Sequence, residues 1–225
     1  MEEQIPSVWN EGTITSLWKG KGDKELLSNH RGITTSSSIG TIIDSLIDKR
    51  IEKLVPFTEA QGGGKTGAST CDHLFMLRAI ISLSKKQKRQ TFITFYDVSK
   101  AYDNVDNQDM SCIMWDNGLR GKSWRLLFNL NTDLKAHVKT RFGKTRNVNM
   151  EIGGKQGSRL TGRQFSKLMD TLAESLINIE KGFKMSQIFR IPVLLWVDDV
   201  VSCVEGKVAQ INILKDIDNF AVKHC

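Results

Sequence analysis

Proline is scarce, with only 3 among the 225 residues, and the four cysteines, Cys71, Cys112, Cys203 and Cys225, form no C-x-x-C pair. The first shortage leaves no proline-rich linker, and the second excludes both a zinc ribbon and a disulfide framework. Reduced thiols place the expected home inside a cell, in the cytoplasm or nucleus. No run reaches the ~18 apolar residues of a membrane span, and the start MEEQIPSVWN lacks the apolar stretch of a secretory signal. The four histidines, His30, His73, His137 and His224, show neither H-E-x-x-H nor Cys/His ligand spacing. There is no G-x-S-x-G, and GGGKT at Gly62 to Thr66 is not a P-loop, because Glu59 stands where that motif needs glycine.

What is present is basic charge. Lys and Arg number 32 against 25 Asp and Glu, a net charge of +7 that is compatible with a polyanionic partner such as nucleic acid. The length suits one continuous module with a real core. Ile39, Ile42, Ile43, Leu46, Ile47, Ile51 and Leu54 recur at three- and four-residue steps up to Pro56, which predicts a helix with one buried face. A second helix starts at the S-T-C-D capping box of Ser69 and runs through Leu74, Leu77, Ile80 and Ile81. Phe165, Leu168, Met169, Leu172, Leu176 and Ile179 give a third stripe, and Val208, Ile211, Leu214, Ile217 and Ala221 a fourth; core packing is the expectation for all four.

Thr91 to Val98, TFITFYDV, reads as a strand ending near Asp97, and IPVLLWVDDVVSCV as two short strands joined at Asp198-Asp199. Helix, strand, helix, hairpin, helix predicts an α+β fold with helices on an antiparallel sheet. The aspartate pair suits a hairpin turn poorly, since central residues there favour Asn-Gly or Asp-Gly. Two carboxylates ~4 Å apart repel by about 4 kcal/mol at an effective dielectric of 20, and apolar flanks add a desolvation cost. A solvated loop tip relieves that repulsion, and so does a hard divalent cation such as magnesium. Asp97 closes a hydrophobic strand as Asp198 does, so neighbouring strands would bring both to the same metals, in a form suited to in-line phosphoryl transfer.

The succession YDVSKAYD, GGKQGS and WVDD resembles the motifs of reverse transcriptases, most closely those of non-long-terminal-repeat retrotransposons and group II introns. KGKGD followed by NHRGIT looks like the fingers segment of that family. QGGGKTGAST matches its Q-x-G-F-R-x-G-R-S-T segment through Gln61, Gly63, Lys65, Gly67, Ser69 and Thr70. The correspondence covers about Trp9 to Phe220. The resemblance implies a polymerase right-hand fold of fingers (about 1–90 and 106–150) and palm (about 91–105 and 151–225), with the later family lysine, the primer grip and the thumb outside this chain. It implies a catalytic, metal-binding cluster of Asp97, Asp198 and Asp199, with Asp97 and Asp198 foremost, holding two Mg2+ ions for which Mn2+ can substitute.

By the same resemblance Arg31, Lys19 and Lys21 hold the triphosphate, to which guanidinium forks and ammonium charges are suited. Tyr102 stacks under the incoming sugar and screens out a 2′-hydroxyl, and Gln156 and Gly157 form the loop beside the templating base. Lys65, Lys139 and Arg141 are the expected nucleic-acid contacts; the clusters Lys139, Arg141, Lys144, Arg146 and Lys85, Lys86, Lys88, Arg89 suit phosphate tracking and a solvated face equally. The implied partners are an RNA template, a DNA primer and a deoxynucleoside triphosphate, with no membrane and no oligomeric state specified. A viral RNA-dependent RNA polymerase and a decayed fragment retaining at most nucleic-acid binding are the competing readings, and Tyr102 in its D-V-S-K-A-Y-D context speaks against the first. The chain departs from the family where Q-G-C-P-L-S-P-L-L-F becomes QGSRLTGRQF, exchanging both prolines for Arg159 and Gly162 and two apolar residues for Arg163 and Gln164. Further departures are His30, Gly32, Gly64, Ala68 and Trp196.

Overall fold

A computed structural model describes residues 5–98, 101–177 and 182–224. The strands are β1 (Glu11–Trp18), β2 (His30–Ser36), β3 (Thr91–Asp97), β4 (Lys135–Thr140), β5 (Gly143–Lys144), β6 (Val148–Asn149), β7 (Phe183–Lys184), β8 (Arg190–Ile191), β9 (Val193–Trp196) and β10 (Asp199–Glu205). The helices are α1 (Ser38–Leu54), α2 (Thr70–Lys86), α3 (Ala101–Asn104), α4 (Asn107–Asp116), α5 (Gly121–Asn131), α6 (Arg159–Ile177) and α7 (Lys207–His224). Two compact units result, Met1–Pro56 with Tyr102–Gln164 and Phe57–Ala101 with Phe165–Cys225. Residues 57–90 belong to the unit that contains β3, β9 and β10, and 151–164 to the other. Ile179, counted in the third stripe, and Ser99 and Lys100 of YDVSKAYD lie outside the described residues.

The first unit is built on a sheet of order β2-β1-β4-β5, with β6 also paired to β4. β1 runs antiparallel to β2 and parallel to β4. Its helical core gathers Ile47, Ile51 and Val55 with Met114, Leu119, Leu127, Leu130 and Leu160. Ser37 caps α1 by accepting from the Gly40 amide, satisfying one of the orphan donors at a helix start. Arg163 and Ser158, from the segment that departs most from the family, are partnered here: Arg163 Nε donates to Asp48, and Ser158 Oγ donates to Asp44 Oδ2 at 2.8 Å. Burial is the main force raising the Asp44 pKa, against the bond from Ser158 and the Lys155 charge.

The second unit carries the antiparallel sheet β3-β10-β9 and the small β7-β8 hairpin. Ile80, Phe183, Ile191, Leu194 and Cys203 form its core, with Met76, Leu77, Ile93 and Val201 against it. The capping box at Ser69 is present in full, with Asp72 returning a bond to the Ser69 amide. The stripes fare unequally. Those residues of the α6 stripe that are described, Phe165 to Leu176, are buried throughout. On α1, however, Ile39, Ile42, Leu46 and Leu54 are exposed, as are Leu74 and Ile81 on α2. On α7 the buried positions are Gln210 and Ile213, while Val208, Ile211 and Leu214 face outward, one residue out of phase with expectation. Gln210 is drawn inward because its Nε2 donates to Thr94 Oγ1 at 2.8 Å and to Tyr96 Oη at 3.3 Å on β3. No helix among the described residues is long and apolar enough to cross a membrane.

Asp170 ties the loop that follows Pro56 to α6. Its carboxylate accepts from the Thr58 amide at 3.0 Å and from the Thr58 hydroxyl at 2.5 Å, and takes the Lys167 ammonium at 2.8 Å with both side chains buried. Burial alone would lower the Lys167 pKa, but hydrogen bonds to Asp170 and Glu174 outweigh it and hold the group above its ordinary value. Removing the carboxylate leaves a buried ammonium short of a partner and orphans two donors on Thr58. Asp170→Ala is therefore expected to destabilise the second unit by about 3–5 kcal/mol, read from urea denaturation against the wild-type chain.

Candidate active site

The site is assembled on the β9-β10 hairpin. Trp196 and Asp199 are its last paired residues, so Val197 and Asp198 form the two-residue connection. This corrects the expectation that Asp198-Asp199 is the turn: Asp199 is already the first residue of β10. Val197 has φ of 59°, the left-handed conformation that two-residue hairpin turns demand and usually fill with glycine, asparagine or aspartate. For a β-branched residue this is an outlier, held at a cost of about 1–3 kcal/mol when the surroundings over-determine it.

Those surroundings include the Ala60–Gly63 backbone. Leu195 of β9 donates to Ala60 O at 2.8 Å and accepts from the Gly62 amide at 2.9 Å, so this segment lies along β9 as a short parallel bridge. A Cβ on Gly63 would overlap Val197 N and Cγ2, and one on Gly62 would lie 2.9 Å from the His73 ring and from Trp196 Cε3. The glycine run rejected as a phosphate cradle thus serves close backbone approach to the hairpin. His73 meets Trp196 edge-on at 5.8 Å, and burial is the main cause of its lowered pKa, with Asp72 opposing.

Asp97 ends β3 and pairs directly with Asp199 across the antiparallel ladder. Directly opposed residues share one face of a sheet, and like charges in that position repel. Both are exposed, and Asp198 is half-buried in the adjoining turn. Asp97 and Asp198 were the foremost expectation; the ladder pairs Asp97 with Asp199, and Asp198 precedes Asp199 directly in the turn. No group of three His, Cys, Asp or Glu side chains suited to a metal is formed among the described residues. The donor set nonetheless fits a hard divalent cation, because magnesium takes one or two carboxylates and completes its shell with water and substrate phosphate.

The other expected site residues lie in the first unit, apart from Lys65. Arg31 lies on β2 opposite Leu17. Register and alternation put Arg31, Lys135, His137, Lys139 and Lys144 on one face of the sheet with Thr13, Thr15 and Thr35, and with Glu11 as the acid among them. Thr13 Oγ1 lies 2.9 Å from His137 Nε2 on that face. Arg141 occupies the β4-β5 turn with its guanidinium 5.0 Å from the ring of Phe142, which is 90% exposed. Lys19 Nζ donates to Ser28 O at 3.0 Å within the β1-β2 turn, and Lys21 is exposed nearby in sequence.

The Gln156 carbonyl accepts from the Thr34 amide at 2.7 Å, docking that loop on β2. Gly157 has φ of 115°, and a Cβ there would sit 3.1 Å from Thr34 O. Tyr102 is half-buried; its carbonyl accepts from the Gly154 amide at 2.9 Å, and its hydroxyl lies 3.9 Å from where a Gly162 Cβ would be. Lys65, in the second unit, is paired with Glu59 at 3.1 Å.

Comparison with known proteins bears on the family and the fold. The family model described as reverse transcriptase (RNA-dependent DNA polymerase) matches residues 19–224. A relative, the retrovirus-related Pol polyprotein from type-1 retrotransposable element R2 of Popillia japonica, is 26% identical over 217 residues, covering 96% of this chain and 30% of the relative. Among solved structures, telomerase from Candida tropicalis with a fragment of telomeric RNA superposes with a TM-score of 0.63 at 13% identity, over 95% of this chain and 39% of that one. Telomerase from Candida albicans gives 0.61 at 12% identity, over 98% and 41%. This likeness establishes the fold, α+β with the fingers and palm of a polymerase, and the chain spans about a third of the length of its Pol relative.

The close approach at Gly63 has a measurable consequence. Gly63→Ala should lower stability by about 1–3 kcal/mol through forced backbone movement. In Gly32→Ala the new methyl meets its nearest neighbour at 3.4 Å. Chemical denaturation should find that control changed by no more than about 0.5 kcal/mol.

Proposed function

The chain belongs to the reverse transcriptase family, and from that membership we propose that it is the fingers-and-palm part of an RNA-directed DNA polymerase, adding a deoxynucleotide to the 3′-hydroxyl of a DNA primer on an RNA template. The observation that carries the reading is the direct pairing of Asp97 with Asp199 beside the Val197-Asp198 turn. Opposed carboxylates at an exposed strand end repel, and a cation-dependent reaction gives that arrangement a purpose. In this reading the unit containing β3, β9 and β10 is the palm and the other unit the fingers.

Asp97, Asp198 and Asp199 would hold two Mg2+ ions, or Mn2+ in their place, and such ions when bound stabilise the charge on attacking and leaving oxygens. The protein's own contribution is position. Asp97 and Asp199 are fixed by a continuous ladder from Glu205↔Thr91 to Asp199↔Asp97, and a strand is a more rigid platform than a loop. Arg31 offers a planar guanidinium suited to two phosphate oxygens at once, and Lys21 adds an exposed ammonium; Lys19 contributes less, since its ammonium already serves Ser28. Tyr102 presents an aromatic ring to the incoming sugar, and Gln156 and Gly157 bring backbone close to the templating base. Lys135, Lys139 and Lys144, on the face that carries Arg31, track template phosphates, joined by Arg141 at the hairpin tip. Lys65 can exchange Glu59 for a phosphate, because an exposed ion pair contributes little. The site of action is inside the cell, in cytoplasm or nucleus, where template and nucleotides are found.

Primer extension on an RNA template, by a longer chain containing this segment, tests the reading. Asp97→Asn and Asp199→Asn should each lower incorporation more than about 100-fold, beyond the loss typical of supporting residues around a metal. Neither should lower the denaturation midpoint, since each removes a repulsion; activity equal to wild type would sink the proposal. The basic face has a separate signature. Lys139→Ala and Lys144→Ala should each reduce the slope of log affinity for single-stranded RNA against log salt by about 0.7. An unchanged slope would remove those residues from the template path.

A further inference from the structure

We infer that Gln61 is a positioning residue: its buried amide locks the Val197-Asp198 turn, and with it the carboxylates of Asp198 and Asp199, in one geometry. The consequence for nucleotidyl transfer rests on the polymerase reading above; the lock itself does not. Gln61 is fully buried, and its Oε1 accepts from two backbone amides, Val197 at 3.1 Å and Gly63 at 2.9 Å. Its Nε2 donates to Ser166 O at 3.3 Å on α6. Both lone pairs of the oxygen are thereby used. The anchoring helix is itself packed, with Phe165 and Leu168 on either side of Ser166 buried.

Three features make this more than a satisfied core amide. The tethered N–H belongs to Val197, the residue whose φ of 59° costs the hairpin its ease. Without the tether, little would keep a valine in the left-handed region against relaxation, and Asp198 follows directly in the chain. The turn also bears a load, since Asp199 faces Asp97 and mutual repulsion acts to part the strands at that end. The side chain, moreover, is fixed in length and chemistry by its surroundings: asparagine is one methylene too short to span from the Ala60–Gly63 backbone to Val197 and Ser166 together. Leucine has the volume but would take the acceptor from the half-buried Val197 amide and the buried Gly63 amide.

Amide hydrogen exchange on the full chain, followed by NMR, reads the lock directly. In Gln61→Leu the Val197 amide should exchange about tenfold faster or more, while the amides of Val200 to Val204 keep their protection. Gln61→Glu retains the accepting oxygen, so Val197 should stay protected in it; loss equal to that in Gln61→Leu would overturn the proposal. Mn2+ binding to the same chains, measured by EPR, should weaken in Gln61→Leu and recover in Gln61→Leu/Val197→Gly, because glycine takes the left-handed conformation without a tether. A core defect of the ordinary kind would gain nothing from that second change. Unaltered Val197 exchange in Gln61→Leu, or no recovery in the double variant, would overturn the inference. If wild type binds no Mn2+ and extends no primer, the polymerase reading fails instead, and the exchange data still decide the lock.

Discussion

Between Trp196 and Asp199 the backbone reverses in two residues, and the first of them is a valine with φ of 59°. Much of the second unit is arranged around that single unfavourable dihedral. Gly62 and Gly63 lack side chains so that their backbone can lie against the hairpin, and Gln61 reaches the turn from the same segment. Thr58, a few residues earlier, is fastened to Asp170 on α6, so the segment has a fixed origin as well as a fixed end. The turn is defined by contacts made 136 positions away in the chain rather than by its own preferences.

The same fact explains what could and could not be seen in the sequence. The strand at Thr91–Asp97, the capping box at Ser69 and the α6 stripe are local signals, a period or a cap that acts within its own element, and they appear in the fold. The exact centre of the hairpin was not legible, because the shift from Asp198-Asp199 to Val197-Asp198 depends on a distant glutamine. The phase of α7 was hidden for a related reason. Periodicity counts apolar residues, whereas the sheet beneath α7 offers hydroxyls at Thr94 and Tyr96, and so draws Gln210 inward and leaves Val208 out.

The departures from the family pattern between Gln156 and Phe165 look like losses when read one residue at a time. In the folded chain several have been given partners. Arg163 meets Asp48, Ser158 meets Asp44, and the space left by Gly162 faces the Tyr102 hydroxyl. Gln164 is the exception: it is fully buried, neither end of its amide is hydrogen-bonded among the described residues, and nothing in the structure explains it. A substitution that looks damaging in a motif alignment can be neutral when its partner sits on another helix, and only a three-dimensional view separates the two cases.

The parallel pairing of β1 with β4 joins residues 124 positions apart, Thr13 to His137 among them. A nascent chain emerging at about 5–20 residues per second therefore holds β1 without that neighbour for several seconds. During that interval one edge of β1 has no ladder partner, an invitation to pairing with other chains. The early β1-β2 hairpin, closed by local contacts, is the form in which the segment must wait. Synthesis order thus becomes part of the specification of this fold, and the speed of translation between β1 and β4 bears on how much protein reaches it.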